Sequence, residues 1–129
     1  MTPDLVAILL AAPLPVRLAL LDAEPTGAGW YVDMDPYMQD PALHVSAESA
    51  GLRFLRARIE RGDAWLPCNP LAIVEHARVS ARATTAGINM SFGGSTYAWI
   101  RHAGGREQEF RGLSVYECAV ALLREVVGG

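Results

Sequence analysis

Apolar and polar side chains alternate through most of residues 88–111, and two Gly-Gly pairs interrupt the alternation. Alternation is typical of half-buried strands, and paired glycines supply the positive φ angles of two-residue hairpin turns. The pattern predicts a three-stranded antiparallel meander with turns at 93–94 and 104–105, in which His102 faces Glu107. The predicted apolar face consists of Ile88, Met90, Phe92, Tyr97, Trp99 and Phe110. The predicted polar face consists of Asn89, Ser91, Thr96, His102, Glu107 and Glu109.

The N-terminal third of the chain is divided by prolines and glycines. The first residues predict a short helix that has Pro3 at its first position and ends before Pro13. Residues 16–21 and 30–34 are apolar runs bounded by turn residues, which favours two strands. Prolines interrupt 34–44, and this segment is predicted to be an irregular loop.

Helical periodicity predicts two longer helices. One spans about 46–61, has Ser46 as its N-cap, and carries an apolar stripe on one side. The other spans about 114–127 and begins with a capping box formed by Ser114 and Glu117. Apolar residues cover more than half of its circumference, so we expect it to be largely buried.

The segment between the second helix and the meander allows two interpretations. Residues 63–70 read as a loop, in which Asn69 and Pro70 suit an N-cap and a first helical position. A brief helical turn over 71–76 would follow, but a continuous strand fits the residues there as well. Alternation over 78–82 favours a strand by that point.

The element order that results is α-β-β-α-β-β-β-α, with one further strand if 71–76 is extended. A chain of 129 residues fits a single domain of ~100 to 200 residues. We therefore predict one α+β domain over 1–129, with an antiparallel sheet of about five strands and helices packed mainly on one face. The order from 46 onward resembles a double-stranded-RNA-binding domain, but the lysine-rich last helix of that family has no counterpart in a chain without lysine.

The whole-chain order resembles the roadblock type of small regulatory fold, which dimerises through sheet edges and a central helix. The resemblance rests on element order alone and transfers no residue. It implies a small regulatory protein that dimerises.

Composition points in the same direction. Charged residues make up 19% of the chain and hydrophobic residues 51%, against ~25% charged residues in typical soluble domains. Fewer charges are left to cover the surface, which favours self-association. The net charge of −3 gives no overall attraction to nucleic acid. The absence of lysine excludes Schiff-base lysine chemistry and a Walker-type phosphate loop.

Cellular location is inferred from the cysteines and the apolar segments. Cys68 and Cys118 form neither a disulfide framework nor a paired metal-binding motif, which indicates a reducing compartment. The apolar run 5–12 follows Asp4 rather than basic residues, which argues against a signal peptide. No stretch reaches the ~20 uncharged apolar residues that span a bilayer. We expect a cytoplasmic protein that contacts no membrane.

Two surfaces are candidates for binding. Phe54 lies opposite the apolar stripe of its helix, and with Arg58 it would form a face that meets a second surface. The arginines of this helix spread around it, which favours solvation over phosphate contacts. These arginines are Arg53, Arg56, Arg58 and Arg61.

The aromatic side chains of the meander form the second candidate. Tyr97, Trp99 and Phe110 share the predicted apolar face with Arg101, and bases stack on aromatic rings beside arginines in single-strand binders. The favoured interpretation is that the helices cover this face. A nucleic-acid platform is the alternative.

Catalytic candidates are isolated residues. Cys68 precedes a possible helix start, and His76 lies eight residues further on as a potential base. Asp33 and Asp35 have the spacing of a carboxylate pair that binds a divalent cation. No complete catalytic or ligand set accompanies either pair.

The sequence therefore favours a non-catalytic cytoplasmic adaptor that binds itself or another protein and needs no cofactor. Nucleic acid is not an expected partner. The alternatives are a single-stranded nucleic-acid binder and a small cysteine- or metal-dependent hydrolase.

Overall fold

The structure, a computed structural model, describes residues 3–24, 29–33, 42–46, 52–90, 96–112 and 114–128. The chain divides into two compact units, Met1–Cys68 and Asn69–Gly129. Each unit contains an antiparallel sheet of three strands together with helices. The α+β class is confirmed, but the strands are divided between two sheets instead of forming one sheet of about five. A single domain over the whole chain stays a prediction.

The first unit is built around the sheet order β2-β1-β3. Helices α1 and α2 contact β3, and α2 also contacts α3. The helices are α1 (Pro3–Ala11), α2 (Leu14–Asp22) and α3 (Leu52–Glu60). The strands are β1 (Gly29–Asp33), β2 (Ala42–Ser46) and β3 (Ala64–Pro67).

The second unit is built around the sheet order β4-β5-β6. Its two helices pack against each other, α4 also contacts β4, and α5 also contacts β5 and β6. The helices are α4 (Pro70–Ala81) and α5 (Val115–Gly128). The strands are β4 (Thr85–Met90), β5 (Thr96–Arg101) and β6 (Glu107–Arg111).

Trp65 on β3 is the largest fully buried side chain of the first unit. Its indole lies so close to Gly29 on β1 that a Cβ there would be 2.4 Å from the Trp65 Cζ2 and 2.5 Å from the Leu66 carbonyl oxygen. Real side chains do not approach so closely. Glycine at position 29 is therefore required for the indole to pack against the sheet.

Arg17 ties together the segments that follow two helices of the first unit. Its Nε donates to the carbonyl oxygen of Ala12 at 3.0 Å. Its Nη1 donates to the carbonyl oxygens of Ile59 at 2.9 Å and Asp63 at 3.0 Å. The last carbonyls of a helix lack partners within the helix, and a guanidinium satisfies them well.

Residues 16–21 belong to helix α2, so the predicted strand there is wrong. The amides of Val16 and Arg17 donate to the carbonyl oxygen of Pro13 at 3.0 and 3.1 Å, which closes a first helical turn directly after the proline. Pro15 lies in that turn, where its missing N–H is not needed. A short apolar run does not distinguish a buried helix from a strand.

Short strands occupy parts of two segments that were predicted as loops. β2 includes 42–44, and β3 lies within 63–70. Ser46 is the last residue of β2, and 47–51 lie outside the described residues, as does the rest of the predicted loop at 34–41. When α1 and α2 are counted together, the predicted element order is contained in the observed one, which adds β3 and α4.

Helix α4 resolves the ambiguous segment. The Asn69 Oδ1 accepts from the amide of Leu71 at 3.0 Å, so the predicted N-cap is confirmed. The helix continues to Ala81 and ends where Arg82 adopts a left-handed conformation with φ 53°. The predicted strand over 78–82 is wrong, because the cap starts a helix whose buried positions recur at helical spacing. These positions are Ile73, Val74 and Ala77.

Helix α5 begins as predicted. The Ser114 Oγ accepts from the amide of Glu117 at 3.1 Å, and most of the helix that follows is buried or half-buried. Among the described residues no single helix is long and apolar enough to cross a membrane. The pair Leu5–Ala11 and Leu14–Asp22 passes by length and composition only when taken together, across a bend of 114°.

Candidate functional site

The pairing of the three strands in the second unit differs from the predicted register. Ile88 lies opposite Ala98, and Ala98 lies opposite Phe110. Met90 lies opposite Thr96. The two-residue turns predict Trp99 as the partner of Ile88 and Phe110, and Tyr97 as the partner of Met90. Each observed pair is thus shifted by one residue, and such a shift exchanges the two faces of a strand. The predicted division of the sheet into an apolar and a polar face is therefore wrong.

The length of the turn explains the shift in the second hairpin. The amide of His102 donates to the carbonyl oxygen of Arg106 at 2.7 Å, and the amide of Gly105 donates to the carbonyl oxygen of His102 at 3.0 Å. Residues 103–105 thus form a three-residue turn, in which Gly104 and Gly105 have φ angles of 98° and 92°. The glycines have the predicted positive φ, but the turn is one residue longer than predicted.

One face of the sheet is covered by α4 and α5. Ala98 and Ile100 on this face are fully buried, and the Cys118 Sγ on α5 donates to the Thr96 carbonyl oxygen at 3.3 Å. We call it the covered face. It comprises Ala86, Ile88, Thr96, Ala98, Ile100, Gln108 and Phe110. Ser91 and Phe92, which were assigned to opposite faces, lie outside the described residues.

The opposite face carries half-buried aromatic side chains and exposed charged side chains, and we call it the open face. It comprises Thr85, Gly87, Asn89, Tyr97, Trp99, Arg101, Glu107, Glu109 and Arg111. Of the four predicted platform residues, Tyr97, Trp99 and Arg101 lie here. Phe110 lies on the covered face, so its predicted place beside the other rings is wrong. The expectation that the predicted helices cover the Trp99 face is also wrong for the last helix, because α5, like α4, lies against the opposite face.

Asn89 holds both rings of the open face in place. Its Nδ2 donates to the Tyr97 Oη at 2.6 Å, and its Oδ1 accepts from the Trp99 Nε1 at 3.3 Å. The Trp99 indole lies against Gly87, where a Cβ would be 3.0 Å from Cζ2 and 3.2 Å from Nε1. The half-buried indole is therefore oriented by a backbone contact and a hydrogen bond.

The charged side chains of the open face form ion pairs. The Arg111 guanidinium lies over the Tyr97 ring at 4.6 Å from its centroid, and its Nη2 is 3.3 Å from the Glu109 Oε2. The Arg101 Nη2 is 3.5 Å from the Glu107 Oε2, so the predicted pairing of His102 with Glu107 is wrong. Two arginines and two glutamates make the charges of the face balance.

His102 lies beside a different residue and lines a shallow cavity. Its Nε2 is 2.8 Å from the Gln108 Oε1. A cavity of about 250 Å³ is lined by these two side chains together with Arg106, Glu125 and two apolar residues. No Ser, Thr or Cys is among the lining residues, so no hydroxyl or thiol nucleophile accompanies the imidazole there.

The interaction candidates of the first unit differ from each other in accessibility. Phe54 on α3 is 52% exposed. The Arg58 Nε is 2.8 Å from the Oδ2 of Asp63, which is only 5% exposed. Arg58 therefore compensates a buried carboxylate, which leaves Phe54 as the candidate with a solvent-facing side chain.

The cysteine candidates lie in contrasting surroundings. Cys68 is exposed and is the last residue of the first unit, whereas His76 lies on α4 in the second unit. Burial raises the pKa of the Cys118 thiol, which keeps it protonated and unreactive.

The structure describes only one of the two aspartates that were predicted as a possible metal site. Asp33 ends β1, while Asp35 lies outside the described residues. Across the described ranges no group of three His, Cys, Asp or Glu side chains is arranged to hold a metal ion.

Comparison with known proteins does not assign the chain to a family. No protein-family model matches the chain, and no curated protein or solved structure matches it either. The candidate site therefore rests on its own geometry.

Proposed function

We propose that the chain is a non-catalytic cytoplasmic interaction module that binds protein through the open face of the β4–β6 sheet. The observation that carries this proposal is the presence of Tyr97 and Trp99, beside Arg101 and Arg111, on a sheet face that α4 and α5 leave uncovered. Tyr, Trp and Arg dominate the binding energy of protein interfaces.

The open face is ordered before any partner binds. Asn89 fixes both aromatic rings, and Arg111 is held by the Tyr97 ring and the Glu109 carboxylate. Side chains that are already restrained lose less conformational entropy on association. The same contacts make the surface specific in shape.

A single-stranded nucleic-acid binder is the second candidate, because Tyr97, Trp99 and Arg101 share the open face. Two features favour protein over nucleic acid. Each arginine of the face is paired with a glutamate, and one side of the Tyr97 ring is already occupied by Arg111. Phosphate binding needs uncompensated cations, and base stacking needs a free ring.

Photocrosslinking in the producing cell tests the proposal. A benzophenone amino acid replaces Tyr97, and a matched variant carries it at Val79, an exposed apolar position on α4. We expect a discrete protein adduct at position 97 that is absent at 79 and is lost when Trp99→Ser is added. Equal adducts at both positions, or none at 97, would contradict an interaction surface here.

Fluorescence titration tests the second candidate. Single-stranded oligonucleotides are added at low salt to the unmodified protein and to Trp99→Phe, so that the difference reports the open face. Binding of protein alone predicts no difference between the two titrations. Quenching that needs Trp99 and falls steeply with salt would favour nucleic acid.

A further inference from the structure

The open face has a charge pattern that matches a second copy of itself. Its residues form three rows across the sheet, each made of one residue from β4, β5 and β6. The rows are Thr85–Arg101–Glu107, Gly87–Trp99–Glu109 and Asn89–Tyr97–Arg111. Trp99 stands at the centre of this grid. Opposite charges occupy the two ends of β6, with Glu107 at one end and Arg111 at the other.

A two-fold axis along the middle row exchanges the outer rows of two facing sheets. It places Glu107 of one copy opposite Arg111 of the second copy, and the reciprocal pair forms at the same time. Arg101 then faces Tyr97, and the two Trp99 indoles face each other across the axis. Glu109 meets its own counterpart, but each Glu109 is neutralised by Arg111 of its own chain at 3.3 Å.

The other simple arrangement lacks this complementarity. An axis along β5 would place Arg101 opposite Arg101 and Glu107 opposite Thr85, so it forms no ion pair between the copies. Each axis brings one charged residue against its own counterpart, Glu109 in the first case and Arg101 in the second, and an ion pair within the chain compensates both. The two reciprocal pairs between Glu107 and Arg111 therefore favour the axis that runs across the strands.

We infer that the occupant of the open face is a second copy of this chain, packed face to face about a two-fold axis through the Trp99 row. This inference rests on the proposed function, because it names the partner of the same surface. Flat aromatic rings and reciprocal Glu–Arg pairs at one surface suit an isologous contact.

The area of the open face determines how strongly we expect two copies to bind each other. Strands of this length and spacing cover about 17 Å by about 14 Å, or about 240 Å² per copy, against ~800 Å² per partner in a standard interface. We therefore expect a weak, reversible dimer with a dissociation constant of about 0.1 to 1 mM. Sedimentation velocity from micromolar to millimolar concentration is the suitable measurement.

Charge reversal provides the decisive experiment. Glu107→Arg alone and Arg111→Glu alone each place like charges across the axis twice, and we expect each to weaken dimerisation at least about tenfold. An equimolar mixture of the two variants restores both ion pairs in a heterodimer. We expect its dissociation constant to fall at least about threefold below that of either variant alone. It does not return fully to the unmodified value, because the Arg111→Glu copy no longer neutralises its own Glu109.

Matched controls separate this effect from a general change of charge. Glu125→Arg changes the charge of α5 outside the open face and is expected to dimerise normally. Circular dichroism verifies that each variant is folded. A monomeric unmodified protein, charge-reversal variants that dimerise normally, or a mixture of folded variants that fails to recover would each overturn the inference.

A crosslink keeps the inference testable if a charge-reversal variant does not fold. Facing sheets lie about 10 Å apart, too far for a disulfide, so Glu109→Cys is treated with a short bismaleimide in a Cys68→Ser background. We expect a covalent dimer, and none from Glu125→Cys. Equal crosslinking of both variants would overturn the arrangement.

Two outcomes distinguish this inference from the proposed function. If the unmodified protein is monomeric but position 97 still crosslinks to a different protein, the open face binds protein and the second copy is excluded. If a dimer forms that Phe54→Ser abolishes while the charge-reversal variants do not affect it, self-association occurs through α3 and the open face is not its site.

Discussion

Two tryptophans of this chain lie against a glycine of the neighbouring strand, one in each unit, yet they have opposite surroundings. Trp65 is fully buried, and its Nε1 has no acceptor among the described residues. Trp99 is half-buried, and its Nε1 donates to Asn89. A Cβ would be 2.4 Å from the first indole at Gly29 and 3.0 Å from the second at Gly87.

An indole that packs against a glycine is therefore not necessarily part of a hydrophobic core. In the first unit helices and sheet enclose the ring, and its polar nitrogen is buried with no acceptor in the part of the chain that the structure describes. In the second unit the helices lie on the covered face, so the Trp99 indole stays in contact with solvent and keeps its hydrogen bond to Asn89. Stability is expected to depend on the first tryptophan and binding on the second.

Removal of each indole is the strongest way to test this contrast. Trp65→Ala opens a cavity in the first unit, and we expect it to lower the free energy of unfolding by about 3 to 5 kcal/mol. Trp99→Ala is expected to lower it by only about 1 kcal/mol. Urea denaturation followed by circular dichroism measures both. Equal losses of unfolding free energy would contradict the contrast between the two tryptophans.

Addition of a methyl group under each indole has a smaller effect. Gly29→Ala meets a ring atom and a backbone oxygen, and we expect a loss of about 2 to 3 kcal/mol. Gly87→Ala meets only ring atoms of a side chain that can tilt outwards, and we expect less than about 1 kcal/mol. Gly87→Ala should still shift the Trp99 emission, whereas an unchanged spectrum would show that the indole does not rest on this strand.

The smallest effect is expected for the hydrogen bonds of Asn89. Asn89→Ala removes the partners of Tyr97 and Trp99 at an exposed position, so stability should fall by about 0.5 to 1 kcal/mol. Acrylamide quenching of Trp99, measured as the difference from Trp99→Phe, should increase because the ring is less restrained. Unchanged quenching would indicate that Gly87 alone positions the indole.

Local signals were read correctly from the sequence. Pro3 and the bond between Ser114 and Glu117 depend on a few neighbouring residues, and each begins a helix as predicted. The Asn69 cap begins a helix in a segment for which the sequence left helix and strand open. The alternation of the meander likewise predicted its strands. Such features are fixed by local hydrogen bonds and backbone preferences, so tertiary contacts do not need to be known.

Elements that depend on tertiary packing were missed. β3 has four residues, all buried, and shows no alternation. α2 reads as an apolar run that suits a strand equally well until its contacts with β3 and α3 are known. In both cases the surroundings decide between conformations that the local sequence permits.

The site was predicted in its residue types but not in its arrangement. Tyr97, Trp99 and Arg101 were recognised, yet the longer turn between β5 and β6 moved Phe110 away and brought Arg111 to the rings. The one-residue shift between β4 and β5 brought Asn89 to them as well. A usable signal was present in β6, whose alternate charges match Arg101 only in the observed register. Charge pairing would have been a better guide than the glycine pairs.

The three bonds of Arg17 also set an order of events during synthesis. Its acceptors at Ile59 and Asp63 lie 42 and 46 residues further along the chain. At translation rates of about 5 to 20 residues per second, they emerge from the ribosome about 2 to 9 s after Arg17. During that interval the apolar sides of α1 and α2 have no completed sheet to pack against. Chaperones can therefore bind the apolar sides of these helices in the nascent chain until Arg17 bonds to the Ile59 and Asp63 carbonyl oxygens.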